Sequence, residues 1–208
     1  MEDMQKIKSI KTIMVTNTKA YVAGSSMAAE LAVMVAQNGK RVALIDADLR
    51  KPLVHSLFDL PNRVGLIDVL QGRRSLSAAM HKLDGRQLFV LTAGKREPAH
   101  VDVFATGKMI KLLEQVKRRY DKVIIHGPPF FYSETTTLAG LVDGVVMLIH
   151  PGHTKSETSS AIIEKIQKSG ATLIGIVMRE QPKLPTNQSA FIDRLLSYDR
   201  SVRFSHKN

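Results

Sequence analysis

The chain has 208 residues, 44% of them apolar, a length that suits one α/β domain with a sizeable core. It contains no cysteine, which excludes disulfide frameworks, cysteine-ligated zinc and thiol catalysis. The 30 Lys and Arg residues against 19 Asp and Glu give a formal net charge of +11, which indicates an anionic partner or surface. No apolar run reaches the roughly 18 residues that span a bilayer, and no signal peptide is recognisable, so we expect a soluble, cytosolic protein.

Six short apolar runs, rich in β-branched residues, recur along the chain. Their apolar residues are continuous rather than alternating, which is typical of strands that are covered on both faces in a parallel sheet. The runs span residues 12–16, 41–45, 88–91, 122–125, 144–149 and 172–178.

Helical periodicity separates several of these runs, which predicts a doubly wound α/β fold: a mainly parallel sheet with helices on both faces. We expect Ser25 or Ser26 to cap the first helix, and Asn38 and Gly39 to end it. The predicted apolar faces are Met27, Leu31, Met34 and Val35 in the first helix, Met109, Ile110, Leu112, Leu113 and Val116 in a second, and Ala161, Ile162 and Ile166 in a third.

A change in composition after Met178 divides the chain into a domain over residues 1–180 and a tail over residues 181–208. Pro182 and Pro185 mark a linker. The rest of the tail has the spacing of a short basic amphipathic helix, which could dock on its own domain, on a partner or on a membrane surface. Its apolar face comprises Phe191, Ile192, Leu195 and Leu196, with Arg194 and Arg200 nearby.

Ligands of doubly wound folds bind at the carboxyl ends of the strands, so the loop after the first strand is the natural phosphate site. The second run is followed by Asp46 and Asp48, with Arg50 and Lys51 just beyond. Two carboxylates at a strand end are either a solvated turn or, beside a phosphate-binding loop, a magnesium or water-positioning site. We favour the second interpretation at this position.

Five ordered motifs make the chain, from about residue 11 to residue 178, resemble the cytoplasmic domain of bacterial tyrosine kinases. These capsular and exopolysaccharide autokinases are related to the MinD and ParA ATPases. The resemblance implies a P-loop NTPase-like fold, ATP and magnesium as cofactors, and work beside a membrane-embedded polysaccharide co-polymerase. The motifs are DADLRKP (46–52), LPNRVGLIDVLQG (60–72), LTAG (91–94), YDKVIIHGPP (120–129) and LVDGVV (141–146).

The phosphate-binding loop departs from the pattern that the resemblance implies. Family members carry a glycine-rich turn followed by Gly-Lys-Ser/Thr-Thr, whereas Gly24 here stands at the lysine and Tyr21 and Ala23 stand at glycines. The lysine would supply positive charge to the phosphates, and the glycines would let the backbone approach them. Ser25 keeps the hydroxyl that would reach magnesium, and Ser26 follows it, so the loop is a degenerate nucleotide site.

Three further positions bear on this site. His126 stands where the family has the Walker B aspartate, and a protonated imidazole would repel magnesium. Lys19 stands where MinD-type proteins carry a signature lysine, so it is either a relocated cation or a solvated loop residue. Arg179 ends the last strand, where it either binds another anion or is merely exposed.

The leading hypothesis is therefore a catalytically impaired relative that acts as a scaffold or regulator in exopolysaccharide or capsule biosynthesis or export. Its expected partners are a membrane polysaccharide co-polymerase or a companion kinase, in the cytoplasm or at the inner membrane, with ATP and magnesium binding weak or lost. The alternative is an atypical tyrosine autokinase or MinD-like ATPase that uses Asp46, Asp48, Ser25 and Lys19. Tyr198 is the single tyrosine of the tail, in place of the family's cluster. Only the charge supports DNA binding, so nucleic acid is an unlikely partner.

Overall fold

The computed structural model describes residues 10–18, 23–83, 85–95, 103–149 and 156–179. Seven strands and seven α-helices lie in these ranges, with a 3₁₀ turn at Val103–Ala105. The strands are β1 (Thr12–Asn17), β2 (Val42–Asp46), β3 (Met80–Lys82), β4 (Leu88–Leu91), β5 (Lys122–His126), β6 (Gly144–Ile149) and β7 (Thr172–Met178). The helices are α1 (Ala23–Gln37), α2 (Val54–Leu57), α3 (Leu66–Leu70), α4 (Leu76–Ala79), α5 (Gly107–Arg119), α6 (Ser133–Ala139) and α7 (Ser156–Lys168).

The strands form one sheet in the order β3-β4-β2-β5-β1-β6-β7. Neighbouring strands are parallel except for β3, which runs antiparallel to β4 at one edge. Separate apolar clusters cover the two faces, because alternate residues of each strand point to opposite sides. The predicted doubly wound, mainly parallel fold is confirmed, and β3 is a strand that the sequence did not predict.

Helix α1 packs on the sheet through a different face from the predicted one. Met27, Leu31, Met34 and Val35 are only half-buried. Small residues face the sheet instead, and their size allows the helix backbone to come close to the strands. The fully or nearly fully buried residues of this face are Ala28, Ala29, Ala32, Val33 and Ala36.

The other two predicted helix faces are largely correct. In α5 all the predicted apolar residues are buried except Ile110, whose side chain is 48% exposed. In α7 Ile162 and Ile166 are buried, whereas Ala161 is exposed. No helix in the described part of the chain is both long and apolar enough to cross a membrane.

Two of the motifs from the sequence pack against each other at the amino end of α3. The backbone N–H of Leu66 donates to the carbonyl oxygen of Thr92 at 2.7 Å, and the N–H of Gly65 donates to the Asp68 carboxylate at 3.0 Å. A Cβ at position 65 would lie 2.2 Å from the Thr92 oxygen and 2.2 Å from the Gly94 nitrogen. Glycine is required at position 65 because two backbone segments touch there.

Asp143, in the turn before β6, joins that strand to the start of β1. One carboxylate oxygen accepts the N–H groups of Lys11 and Thr12 at 2.9 and 2.8 Å, and the other accepts Lys117 Nζ at 2.8 Å. Partial burial opposes ionisation, but the Lys117 ammonium and the backbone N–H donors outweigh it and lower the pKa of Asp143 to about 2. The carboxylate therefore holds together the end of the sheet opposite the predicted phosphate site.

Candidate functional site

The predicted site lies where β2, β5 and β1, adjacent in the sheet, reach their carboxyl ends. Asp46 is the last residue of β2 and His126 the last of β5, and the strand register places them side by side. Asn17 ends β1. The chain order does not reveal this meeting, because β5 is inserted between β1 and β2.

Asp46 and His126 form a buried ion pair. Asp46 Oδ1 lies 2.9 Å from His126 Nδ1, and the two side chains are 0% and 4% exposed. Burial alone would lower the pKa of His126, but the hydrogen bond to Asp46 and the charges of Asp46 and Asp48 raise it above its usual value. Contact with these carboxylates therefore favours the protonated form of the imidazole.

The Asp46 carboxylate is also fully engaged with its own loop. Oδ2 accepts the N–H groups of Leu53 and Val54 at 3.1 and 3.0 Å, and Oδ1 accepts the Asp48 N–H at 3.3 Å. With His126, four donors therefore surround this carboxylate. From the sequence, this carboxylate was interpreted as part of either a solvated turn or a magnesium site. In the structure it is buried, and its hydrogen bonds connect the loop after β2 to β5.

Asp48 is a second buried carboxylate of the same loop. Its Oδ1 accepts the N–H groups of Arg50 and Lys51 at 3.1 and 3.0 Å, and the residue is 6% exposed. Burial raises the pKa of Asp48, while the nearby His126 charge and the backbone donors act in the opposite direction. Asp48 therefore lies beside the Asp46–His126 pair without a direct hydrogen bond from the imidazole.

Gly24, at the position of the family's lysine, lies against this pair. A Cβ built on Gly24 would be 2.9 Å from Asn17 Nδ2 and 3.4 Å from His126 Nε2. The Asn17 amide would therefore have to shift to admit a side chain at position 24, whereas the imidazole would only be touched by its Cβ.

Ser25 and Ser26 lie inside α1, so the prediction that one of them caps the helix is wrong. The helix begins at Ala23, and both serines are fully buried in its first turns. Ala23 and Gly24 precede the serines in the first turn, so both serines lie at positions inside the helix. Lys19 and Tyr21 lie outside the described residues.

Arg179 is neither a free anion-binding group nor simply exposed, as the sequence had offered. Its Nη1 donates to Glu30 Oε2 of α1 at 2.6 Å, and both side chains are about three-quarters buried. The arginine therefore links the end of β7 to α1.

Sequence reasoning missed a second ion pair at this edge of the sheet. Arg50 Nε donates to Glu134 Oε1 at 2.5 Å, and the guanidinium lies 4.2 Å from the centre of the Tyr132 ring. Glu134 is buried, and its hydrogen bond raises the pKa of Arg50. No local sequence pattern predicts this ion pair, because Arg50 and Glu134 are 84 residues apart in the chain.

The comparisons place the chain in a family. Residues 10–174 match the family described as AAA domain. The tyrosine-protein kinase YwqD of Bacillus subtilis is 36% identical over 172 residues, which are 82% of this chain and 73% of that protein. The chain belongs to the bacterial tyrosine kinase family.

Solved structures agree with that assignment. The kinase domain of the Escherichia coli tyrosine kinase ETK matches with a TM-score of 0.74 and 25% identity, over 89% of this chain and 73% of that one. MinD from Pyrococcus horikoshii, solved with Mg-ADP, matches with a TM-score of 0.71 over 88% of this chain and 76% of that one. At 18% identity, the second match shows the MinD-like P-loop fold alone.

Proposed function

We propose that this member of the kinase family is catalytically impaired and acts as a scaffold or regulator in exopolysaccharide or capsule biosynthesis or export. The observation that carries the proposal is the buried Asp46–His126 pair, whose imidazole lies 3.4 Å from the position of a Cβ on Gly24. A hydrogen-bonded imidazole therefore lies against the acidic residue of the site.

The charge distribution supports weak phosphate binding. A P-loop lysine offers its ammonium to the β- and γ-phosphates, and Gly24 offers no side chain. The basic group that contacts Asp46 is the imidazole of His126, which is buried and directed at Asp46. Turning the imidazole toward a phosphate would leave the Asp46 carboxylate buried without its ionic partner, which is costly.

The same contacts disfavour magnesium. The ion requires oxygen ligands or the waters that such oxygens hold, and it dehydrates reluctantly. The oxygens of Asp46 already accept one side-chain and three backbone donors. A cation beside Asp46 would also lie beside the imidazolium of His126, so the residues at this edge do not fit magnesium in the family's usual way.

A scaffold needs binding surfaces more than a phosphate site, and the fold that presents them is intact. The family resemblance supports a membrane polysaccharide co-polymerase or a companion kinase as the partner. The formal net charge of +11 is consistent with an acidic partner or an anionic membrane surface at the inner face of the membrane. A nucleic acid is a weaker candidate, because charge is its sole support.

Titration calorimetry of the full chain with ATP and magnesium tests the proposal. We expect no binding at micromolar nucleotide, and none after Gly24→Lys alone. A matched repaired variant carrying Tyr21→Gly, Ala23→Gly, Gly24→Lys and His126→Asp should gain affinity, because it restores the glycine turn, the lysine and the acidic residue.

The alternative kinase or ATPase makes the opposite forecast. Micromolar affinity of the unmodified chain, lost on Asp46→Ala while thermal unfolding still shows a folded domain, would overturn the scaffold proposal. ATP hydrolysis by Gly24→Lys alone would overturn our account of the loop. Phosphotyrosine on Tyr198 after incubation of the purified chain with ATP would likewise establish an active autokinase.

A further inference from the structure

Strand β7 is an apolar edge strand that the described part of the chain covers only in part. It is the last strand of the sheet and pairs with β6 along one edge. None of its seven residues is buried, whereas all five residues of β2 are. Ile176 is 43% exposed and Met178 is 70% exposed.

An exposed apolar edge strand can pair with another chain and cause aggregation. Thr172–Met178 contains no charged residue or proline, two of the devices that protect natural sheet edges. Its pairing with β6 shifts by one residue at Ile174, which interrupts the regular ladder but leaves Ile176 and Met178 exposed. Seven residues of high β propensity without charge are also typical of segments that aggregate edge to edge. A cover over Ile176 and Met178 would therefore remove an exposed apolar patch at this edge.

The chain itself continues from the end of this strand. Residues 180–208 follow Arg179 and lie outside the described residues. Their sequence includes the apolar set Phe191, Ile192, Leu195 and Leu196, spaced for one face of a helix. The eleven residues 180–190 could reach roughly 35 Å when extended, and β7 is roughly 23 Å long. A return along the strand is therefore within reach.

We propose that residues 189–204 fold back onto β7 of the same chain and cover Ile176 and Met178 with that apolar set. Tethering favours this occupant over a second copy or a membrane, because a short linker gives an effective concentration in about the millimolar range. Of the destinations that the sequence left open for the tail, the exposed strand supports docking on its own domain.

Disulfide trapping tests the contact, since the chain has no cysteine of its own. The test variant combines Met178→Cys with Phe191→Cys. The matched control combines Met178→Cys with Asp193→Cys, a position two residues along that points away from the apolar face of a helix. We expect the intrachain disulfide of the test variant to form about tenfold faster, at a rate independent of protein concentration.

Equal rates in the two variants would overturn the proposal, because they would show a tail that does not hold a face against β7. Disulfide-linked dimers whose formation accelerates with protein concentration would overturn it in favour of a second copy. Both introduced pairs keep β7 intact, because Met178 is already 70% exposed.

Hydrogen exchange in the full chain gives an independent readout. Leu195→Asp should speed amide exchange in β7, and the control Ser197→Asp, off the apolar face, should leave it unchanged. Anionic phosphatidylglycerol vesicles should not alter β7 exchange in the unmodified chain. If the vesicles bind the chain and expose β7, the tail belongs to the membrane and the proposal is wrong.

Discussion

Asp46→Ala should strongly destabilise the domain, because its carboxylate holds the loop after β2 in place. The substitution removes hydrogen bonds to His126 Nδ1 at 2.9 Å and to three backbone N–H groups at 3.0 to 3.3 Å. Breaking a buried ion pair by removing one partner costs about 3–5 kcal/mol. Since stranded N–H donors overlap with this loss, we expect about 3–5 kcal/mol in total.

Urea unfolding followed by circular dichroism measures this free energy. For a domain of this size the expected loss corresponds to a melting temperature lower by about 6–20 °C. Asp48→Ala is the matched control: Asp48 is also buried in the loop, but its Oδ1 accepts only two backbone N–H groups of that loop. We expect Asp48→Ala to cost about 1–3 kcal/mol.

A loss below about 1 kcal/mol for Asp46→Ala would refute the reasoning. Active-site carboxylates are often neutral or unfavourable for stability, so a small loss would indicate a residue retained for ligand binding. In that case the buried pair would be a resting arrangement that a ligand replaces, and the atypical kinase would become the better hypothesis.

Three further substitutions test other contacts by urea or thermal unfolding. Gly65→Ala should cost about 2–3 kcal/mol, because the added Cβ would meet the carbonyl oxygen of Thr92 at 2.2 Å; a neutral result would contradict the close backbone approach. Gly24→Ala should cost about 1 kcal/mol, because the Asn17 amide can shift; a gain in stability would mean the space is empty. Asp143→Asn should remove about 1–2 kcal/mol at pH 6, discounted for a side chain that is 31% exposed. Because the folded pKa of Asp143 is lowered to about 2 from 3.8, the unmodified chain should lose this contribution as pH falls from about 4 toward 2, and equal acid sensitivity of the variant would contradict the assignment.

The sequence predicted most of the sheet because its strands are buried on both faces. Continuous β-branched runs identify β1, β2 and β4 to β7 to within a residue at most ends, since short runs rich in β-branched residues are more typical of strands than of helices. The edge strand β3 was not predicted, because Met80–Lys82 is only three residues long and partly polar. Its strand state depends on antiparallel pairing with β4, which local sequence does not encode.

The prediction of the buried face of α1 was wrong because it, too, depended on local sequence alone. Large apolar side chains dominated the periodicity, yet Ala28, Ala29 and Ala32 face the sheet because they permit a close approach. Leu31 and Met27 then pack at the margins of the cluster. Helix periodicity identifies a helix more reliably than it identifies which stripe of that helix is closest to the core.

The residues of the candidate site could be predicted from the sequence, but the contacts between them could not. The sequence placed Asp46 at a strand end and identified His126 as a departure from an acidic position. That the two residues touch depends on the register of β2 with β5, across 80 residues of chain. The Arg50–Glu134 and Arg179–Glu30 pairs are likewise products of tertiary structure.

The fold also brings two departures from the family pattern, Gly24 and His126, close together. A lysine at position 24 would begin 3.4 Å from His126 Nε2 and bring a second cation toward the imidazole. An aspartate at position 126 without that lysine would place two buried carboxylates at adjacent strand ends with no cation between them, which is unfavourable for both. We therefore expect each single reversion to be less favourable than the two made together. If the proposed loss of phosphate binding is correct, a variant that changes both Gly24 and His126 should regain more affinity than either single change.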